Sequence, residues 1–548
     1  MPLAELRAGQ KGIGKTVFSG NKVEDFQVEI LGVLENLGPK QNVIIGKLSG
    51  GPLAETGVMQ GMSGSPVYIN GKLIGAVALA FPFAKEAIAG IRPIEEMLRV
   101  ESGNSIGRAD AMRVATPGES RLVEIATPVS FAGFTRGTLE EFTPMLRNLG
   151  LEPRQGVAGG NAQAAATPGP LQPGQMISVQ LISGDLSVGA DGTVTHIDAS
   201  KIYAFGHRFL GLGNAEMPFA RSEVIALLAN VNTSFKITSS RQWLGAITAD
   251  RNAAVSGEIG KRAATMPVKV TVSNRSLPAA RQTYNMDMIR DKFLSPLLLQ
   301  MAVFSAIDGT ERTMGSATVR IKGRINMSSG PAVEIENQYA AEFGAPVLAS
   351  LAAVLPLNFL LQANLPGWVP QSMEFDIEAE ETRLFWQIDR FSARRTNYRP
   401  GETAEVDVVF RKEDGAQLAR TISYRIPEGM PSGNLFFSLS DGATANGLEN
   451  RLNFGMQPRN IEQAMKFLNA QRKNSSAWMR VWRPELSYDV SGESMPSVPS
   501  SLALLFSRVQ QTQGTVQPGR PSKIAEFEIP LGEVLSSTSR TVQIEIKP

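Results

Sequence analysis

Gly61-Met-Ser-Gly-Ser-Pro-Val-Tyr-Ile-Asn-Gly-Lys-Leu-Ile-Gly-Ala-Val-Ala-Leu79 joins a glycine-flanked serine turn to a hairpin. Asn70-Gly71 is a strong two-residue hairpin signal, and the apolar runs on both sides of it read as paired strands. Glycine on each side of Met62-Ser63 lets the backbone turn sharply and approach a ligand. A turn of this kind can aim the amides of Gly61 and Ser63 at one point, which is how an oxyanion hole is built. The plain alternative is a glycine-serine turn joining two strands.

The same short-strand pattern continues toward the N-terminus. Phe26-Gln-Val-Glu-Ile-Leu-Gly-Val-Leu34 and Asn42-Val-Ile-Ile-Gly46 are broken by Gly, Pro and Asn turns, so residues 1–100 read as an antiparallel β module. Pro93-Ile-Glu-Glu-Met-Leu98 closes it as a short helix, with proline at the first turn and acids where the helix dipole favours them.

Residues 101–175 form the next segment: a polar stretch at 101–120, an amphipathic helix over 137–149 and a flexible Gly/Ala/Pro/Gln-rich run from Gly156 to Gly174. A second β module spans 176–280, with strands at Met176–Ile182, Gly192–Ile197, Ile202–Phe205 and Met266–Val272. A helical and β region follows over 281–369. There Phe293–Ile307 has helical spacing and Ala345–Leu361 is apolar enough to raise the question of a membrane span. Pro346 and Pro356 and the short length favour a buried helix, so no stable span is expected. Alternating runs such as Ala404-Glu-Val-Asp-Val-Val-Phe410 make 370–548 a β-sandwich-like region, with a helix capped by Asn460 inserted in it.

Composition narrows the function. With 43% hydrophobic residues in 548, several cores can be buried, and about three or four domains fit the length. Lys+Arg 54 against Asp+Glu 52 leaves a charge of +2, which gives no field for nucleic acid. The absence of cysteine removes disulfides and thiol chemistry. With only two histidines, a structural metal site is not expected either, and no cofactor is called for. The N-terminus has no basic segment followed by an apolar one, so no signal peptide is predicted in this sequence.

The two histidines, His196 and His207, lie close together in Gly192-Thr-Val-Thr-His-Ile-Asp-Ala-Ser-Lys-Ile-Tyr-Ala-Phe-Gly-His-Arg-Phe209, which gives a Ser-His enzyme two candidate bases. At this point a resemblance emerges. Thr56–Val77, ending in Gly90–Leu98, resembles the nucleophile region of the SpoIVB-type serine peptidases. Gly192–Asp198 with Ala204-Phe-Gly-His-Arg-Phe-Leu210 is similar to that family's histidine motif, and Leu244–Gly257 looks like a further family segment.

The resemblance implies a mainly β protein with some helix: a trypsin-like double β-barrel made from two separated segments, with the site in the cleft between them. By motif match, Ser63 is the nucleophile and His207 the general base, while His196 is structural. Gly61 and Ser63 supply the oxyanion amides, and a protein or peptide is the substrate. Two departures stand out. In the family the histidine motif precedes the serine motif, whereas here Ser63 comes first, as in a circular permutation. The family's acid precedes its serine, and the aligned position here holds Ser49. Asp250 and Asp198 are the candidate acids, each also readable as a turn residue. The expected function is a serine endopeptidase acting outside the cytoplasm. The alternative is a weak or inactive peptidase-like protein that binds peptides or serves as a scaffold.

Overall fold

The computed structural model describes the chain apart from residues 39–40, 82–83, 103–121, 157–168, 276–280, 310–315, 453–457, 459, 486, 491–492, 496–497, 514–515, 520–521 and 537–538. Most of the polar stretch and of the Gly/Ala/Pro-rich run thus lies outside the described residues. Two compact units emerge, one made of Met1–Lys269 with Thr283–Gly309 and the other of Val270–Gln282 with Thr310–Pro548.

The first unit begins with strands β1 (Lys11–Val17), β2 (Val23–Gly38), β3 (Gln41–Ser49), β4 (Pro66–Ile69), β5 (Lys72–Ala80) and β6 (Ile88–Pro93). Antiparallel pairing runs β4-β1-β2-β3-β6-β5, and β4 pairs with β5 to close a six-strand barrel. Its interior is filled by Phe26, Val28, Ile30, Ile44, Leu48, Val67, Ile74, Val77 and Ile91. Gly14 is required there, because a Cβ at that position would lie 2.0 Å from the Phe26 ring. The hairpin between β4 and β5 turns at Asn70 (φ 49°) and Gly71 (φ 74°), the left-handed pair that a type I′ turn needs. Strand β7 (Val123–Glu124) adds to β5, with Glu124 opposite Leu79.

Two further strands, β8 (Thr127–Ala132) and β9 (Leu151–Gln155), flank the helix Arg136–Asn148, whose first turn is capped by Thr135. The second barrel-like sheet follows, with β10 (Met176–Gly184), β11 (Ser187–Asp198), β12 (Lys201–Ala204), β13 (Gly213–Leu228), β14 (Phe235–Arg251) and β15 (Ala254–Ile259). Pairing runs β10-β13-β14-β15-β12-β11, and a β10–β11 ladder joins its ends. Strands β13 and β14 form a long hairpin that the sequence reading does not delineate. Repeated register shifts, between Asn214 and Met217 and again between Phe219 and Ser222, break the alternation by which a strand is recognised. The helix Leu294–Asp308 is apolar on all sides and buried along most of its length, as an interior helix should be.

In the second unit the strand Ala317–Met327 lies between Val333–Ala341 and Pro370–Glu380, and the helix Ala345–Ala363 packs on these three. That helix is long and apolar enough to cross a membrane, yet it turns Ala349, Ala353, Leu357 and Leu360 into the unit's interior. Beyond it, a sheet containing Phe385–Ala393, Thr403–Arg411 and Gln417–Arg425 shares one core with a second sheet containing Gly433–Asp441, Ser476–Arg483 and Arg540–Ile546. Val406, Val408 and Phe410 from the first, and Leu435, Phe437, Met479 and Val481 from the second, make this a sandwich. The inserted helix Ile461–Asn469 is capped by Asn460, whose side chain accepts from the Gln463 amide at 2.9 Å.

Candidate active site

Ser63 sits in the loop between β3 and β4, and that loop is clamped between the two barrels. Within the first barrel, the Gly64 amide donates to the Val77 carbonyl at 2.8 Å and the Val77 amide donates to the Ser65 carbonyl at 3.0 Å. From the second barrel, the Thr193 amide donates to the Ser63 carbonyl at 2.9 Å. The Thr193 hydroxyl donates to the Gly61 carbonyl at 3.0 Å, and the Thr195 hydroxyl to the Gly64 carbonyl at 2.7 Å. Gly64 (φ 92°) is fixed by this packing: a Cβ there would stand 2.0 Å from the Thr193 carbonyl oxygen and 2.5 Å from the Phe205 amide.

His207 follows directly from that contact. The Phe205 amide donates to the Thr193 carbonyl at 3.2 Å, so the residue touching Gly64 lies two positions before the imidazole. Phe205 is fully buried yet has φ 71°, a left-handed conformation that costs a non-glycine residue about 1–3 kcal/mol. With Gly206 (φ 72°) it turns the chain so that Gly206 lies against Val77 and Ala78. The serine loop and the histidine turn therefore flank the same segment of β5.

Both side chains are fully buried. Among the described residues Ser63 Oγ and His207 Nε2 each have no hydrogen-bond partner, so they are not bonded to one another in this structure. The other imidazole nitrogen is engaged: Nδ1 lies 2.6 Å from the Arg208 carbonyl oxygen. A carbonyl can only accept, so Nδ1 carries the proton, and the neutral ring presents a bare lone pair at Nε2. Burial pushes the imidazole pKa below its ordinary 6.5, opposed first by the charge of Glu124 and then by the Arg208 carbonyl.

Around the serine, the amides of Met62, Gly64 and Ser65 donate to the carbonyls of Met59, Val77 and Met62. Among the described residues the amides of Gly61 and Ser63 donate to no protein group, which leaves these two donors available. Ser65 Oγ instead donates to Thr16 Oγ1 at 3.1 Å.

The two acids singled out from sequence stand in different places. Asp250, fully buried, accepts the amides of Phe209 at 2.7 Å, Leu210 at 2.8 Å and Leu212 at 3.1 Å, and so ties down the turn after His207. Burial raises its pKa, and these amides oppose the shift. Asp198 is exposed at the β11–β12 hairpin, opposite Lys201. His196 is half-buried on β11, its ring stacked with Tyr203 at 6.3 Å between centroids.

Glu124 is an acid that the sequence reading passes over. Its carboxylate lies between the guanidinium groups of Arg208 at 3.8 Å and Arg92 at 3.9 Å, and Arg92 Nε reaches the Gly206 carbonyl at 3.4 Å. Only its chain neighbourhood could have marked it, and there it follows the long polar stretch in a two-residue strand.

The architecture is that of a mainly β protein with a double β-barrel, with a buried serine and a buried histidine on adjoining turns. Residues 3–98 match the family model described as SpoIVB peptidase S55, which supports a serine peptidase at the level of the family. The matched segment covers the first barrel and includes Ser63, while His207 falls outside it. No curated protein and no solved structure matches the chain.

Proposed function

We propose that the chain is a serine endopeptidase in which Ser63 is the nucleophile and His207 the general base. The observation that carries this reading is the pair of buried polar atoms left unpartnered, Ser63 Oγ and His207 Nε2, on turns packed against the same stretch of β5. Leaving such atoms unsatisfied costs about 1–3 kcal/mol each, a cost that function can explain.

The chemistry is acyl transfer. Ser63 Oγ attacks the peptide carbonyl carbon as its proton passes to His207 Nε2, and the oxyanion takes hydrogen bonds from the Gly61 and Ser63 amides. One such donor is worth about 3–4 kcal/mol. His207 then returns the proton to the leaving amine, and water resolves the acyl-enzyme by the reverse sequence. The Arg208 carbonyl does the orienting work usually given to a triad acid, since it fixes the tautomer. Glu124 supplies negative charge that stabilises the imidazolium.

The acid limb of the pH profile of kcat/KM follows from this. The imidazole pKa lies below 6.5, and the base works only when neutral, so activity rises with pH through an inflection below 6.5. Replacing His207 by Ala abolishes that limb along with peptide hydrolysis. An inflection above 6.5, or hydrolysis retained in His207→Ala, sinks the assignment. Glu124→Gln removes the charge that raises the imidazole pKa, so the limb moves to lower pH and kcat drops roughly tenfold, the scale of a 1.4 kcal/mol effect. A pH–rate series on the variant checks both.

The missing hydrogen bond between Ser63 and His207, and their complete burial, favour a second reading. In it the chain is a weak or inactive peptidase-like module that holds an extended peptide by strand addition. In either reading the partner is a protein or peptide and the work lies outside the cytoplasm, a reading supported by the resemblance to the SpoIVB-type peptidases.

A further inference from the structure

We propose that Lys236 places a buried positive charge behind the oxyanion pocket formed by the Gly61 and Ser63 amides, a role that rests on the reading of Ser63 above. Lys236 lies on β14 with its side chain against the serine loop. A Cβ built on Gly61 would stand 3.2 Å from Lys236 Cδ, 3.4 Å from its Cβ and 3.4 Å from its Cγ. Its amino group donates to Thr16 Oγ1 at 2.8 Å and approaches Met176 Sδ at 3.6 Å. Each contact leads back to the loop. Thr16 Oγ1 also receives Ser65 Oγ, and Met176 Sδ also receives the Thr193 hydroxyl that holds the Gly61 carbonyl.

Lys236 is buried, and among the described residues it forms no ion pair. Around its amino group β1 presents Thr16, β10 presents Met176, and the loop presents Gly61 and Ser65, while the buried carboxylate of Asp191 on β11, in the same barrel, accepts from Ser130 at 3.1 Å and Ser222 at 3.0 Å instead. Lys15 stands over the Tyr68 ring, and Arg154 covers the Phe235 ring and reaches Gln60. Burial alone pushes the Lys236 pKa down to about 7.

A buried ammonium without a counterion is unfavourable in the resting protein and becomes compensated when negative charge develops nearby. The oxyanion of the tetrahedral intermediate is such a charge. The interaction is therefore stronger in the transition state than in the ground state, which is the condition for accelerating the chemical step. Lys236 does not touch the reacting atoms in this scheme. It is a positioning residue that acts through the field at Gly61 and through Thr16 and Ser65.

The test compares wild type, Lys236→Met and Lys236→Arg by the pH dependence of kcat and KM for peptide hydrolysis. It also follows the rate of phosphonylation of Ser63 by a fluorophosphonate, mapped by mass spectrometry. Wild type is expected to lose activity as pH rises through about 7, giving a bell with the acid limb of His207. Lys236→Met is expected to lose roughly 10- to 100-fold in kcat with KM nearly unchanged, and to lack the alkaline limb. Lys236→Arg keeps its charge and moves that limb to higher pH. Thermal melts establish that the variants fold, and Lys236→Gln replaces any that does not. If Ser63 is labelled in wild type but Lys236→Met retains both kcat and the alkaline limb, the proposal for Lys236 alone is overturned. If folded wild type is not labelled at Ser63, both readings fall together.

Discussion

Ser63→Ala is expected to abolish peptide hydrolysis while leaving the protein at least as stable as wild type. Removal of a catalytic serine costs on the order of 10⁴- to 10⁶-fold in kcat where the group acts as a unit with its base. The stability side of the prediction is the more unusual. Ser63 Oγ is fully buried and among the described residues accepts or donates no hydrogen bond, so the methyl group of alanine loses no partner and is easier to bury. A gain of up to about 2 kcal/mol is expected in denaturant unfolding. If the serine were a turn-stabilising hydroxyl, the same substitution would lower stability and spare any activity. Turnover and unfolding measured on one preparation separate these outcomes.

Asp250→Asn is expected to have the largest effect on stability among the acids near the histidine. Its two carboxylate oxygens accept three backbone amides of the turn that follows His207, at 2.7, 2.8 and 3.1 Å. An amide side chain would turn its NH₂ group toward one of those donors, leaving buried groups in opposition. The loss is about 3–5 kcal/mol, which for a unit of this size lowers Tm on the order of 10 °C. Activity falls with it, because the turn that sets the imidazole is released. Asp198→Asn is the matched control: an exposed hairpin residue, expected to change stability by no more than about 0.5 kcal/mol. Calorimetry of the pair decides whether Asp250 is the staple of the histidine turn, and equal melting temperatures would refute it.

The features legible in the sequence are those whose physical demands are local. Asn70 and Gly71 adopt positive φ because a type I′ turn requires it, and the dipeptide announces this. Asn460 caps its helix through the amide three residues on, a contact within one turn. The apolar helix Leu294–Asp308 declares itself by length and composition. The serine loop is legible for the same reason, since Gly61 (φ 89°) and Gly64 (φ 92°), on either side of Met62-Ser63, supply the positive φ that its turn needs.

What escapes the sequence is whatever depends on distant partners or on backbone atoms. Glu124 gains its place only because β7 pairs with β5, opposite Leu79, which brings it beside Arg92 and Arg208. Lys236 sits on a strand whose hairpin shifts register repeatedly, so the alternation that would mark an inward-facing lysine is lost. The partner of His207 Nδ1 is the carbonyl of its own neighbour, a group every residue carries and no residue type advertises. A search for an acid by residue identity cannot find a carbonyl. Asp250 is visible as an acid, but its attachment to the amides of residues 209, 210 and 212 depends on the pairing of β13 with β14.

The central claim is that Ser63 is a nucleophile activated by His207. The most direct test is covalent labelling of the folded protein with a fluorophosphonate, followed by peptide mapping. A single adduct on Ser63, formed faster as pH rises through the titration of His207 and absent in His207→Ala, is the predicted result. Folded protein that takes no label, or takes it at another serine with Ser63 untouched, would contradict the account.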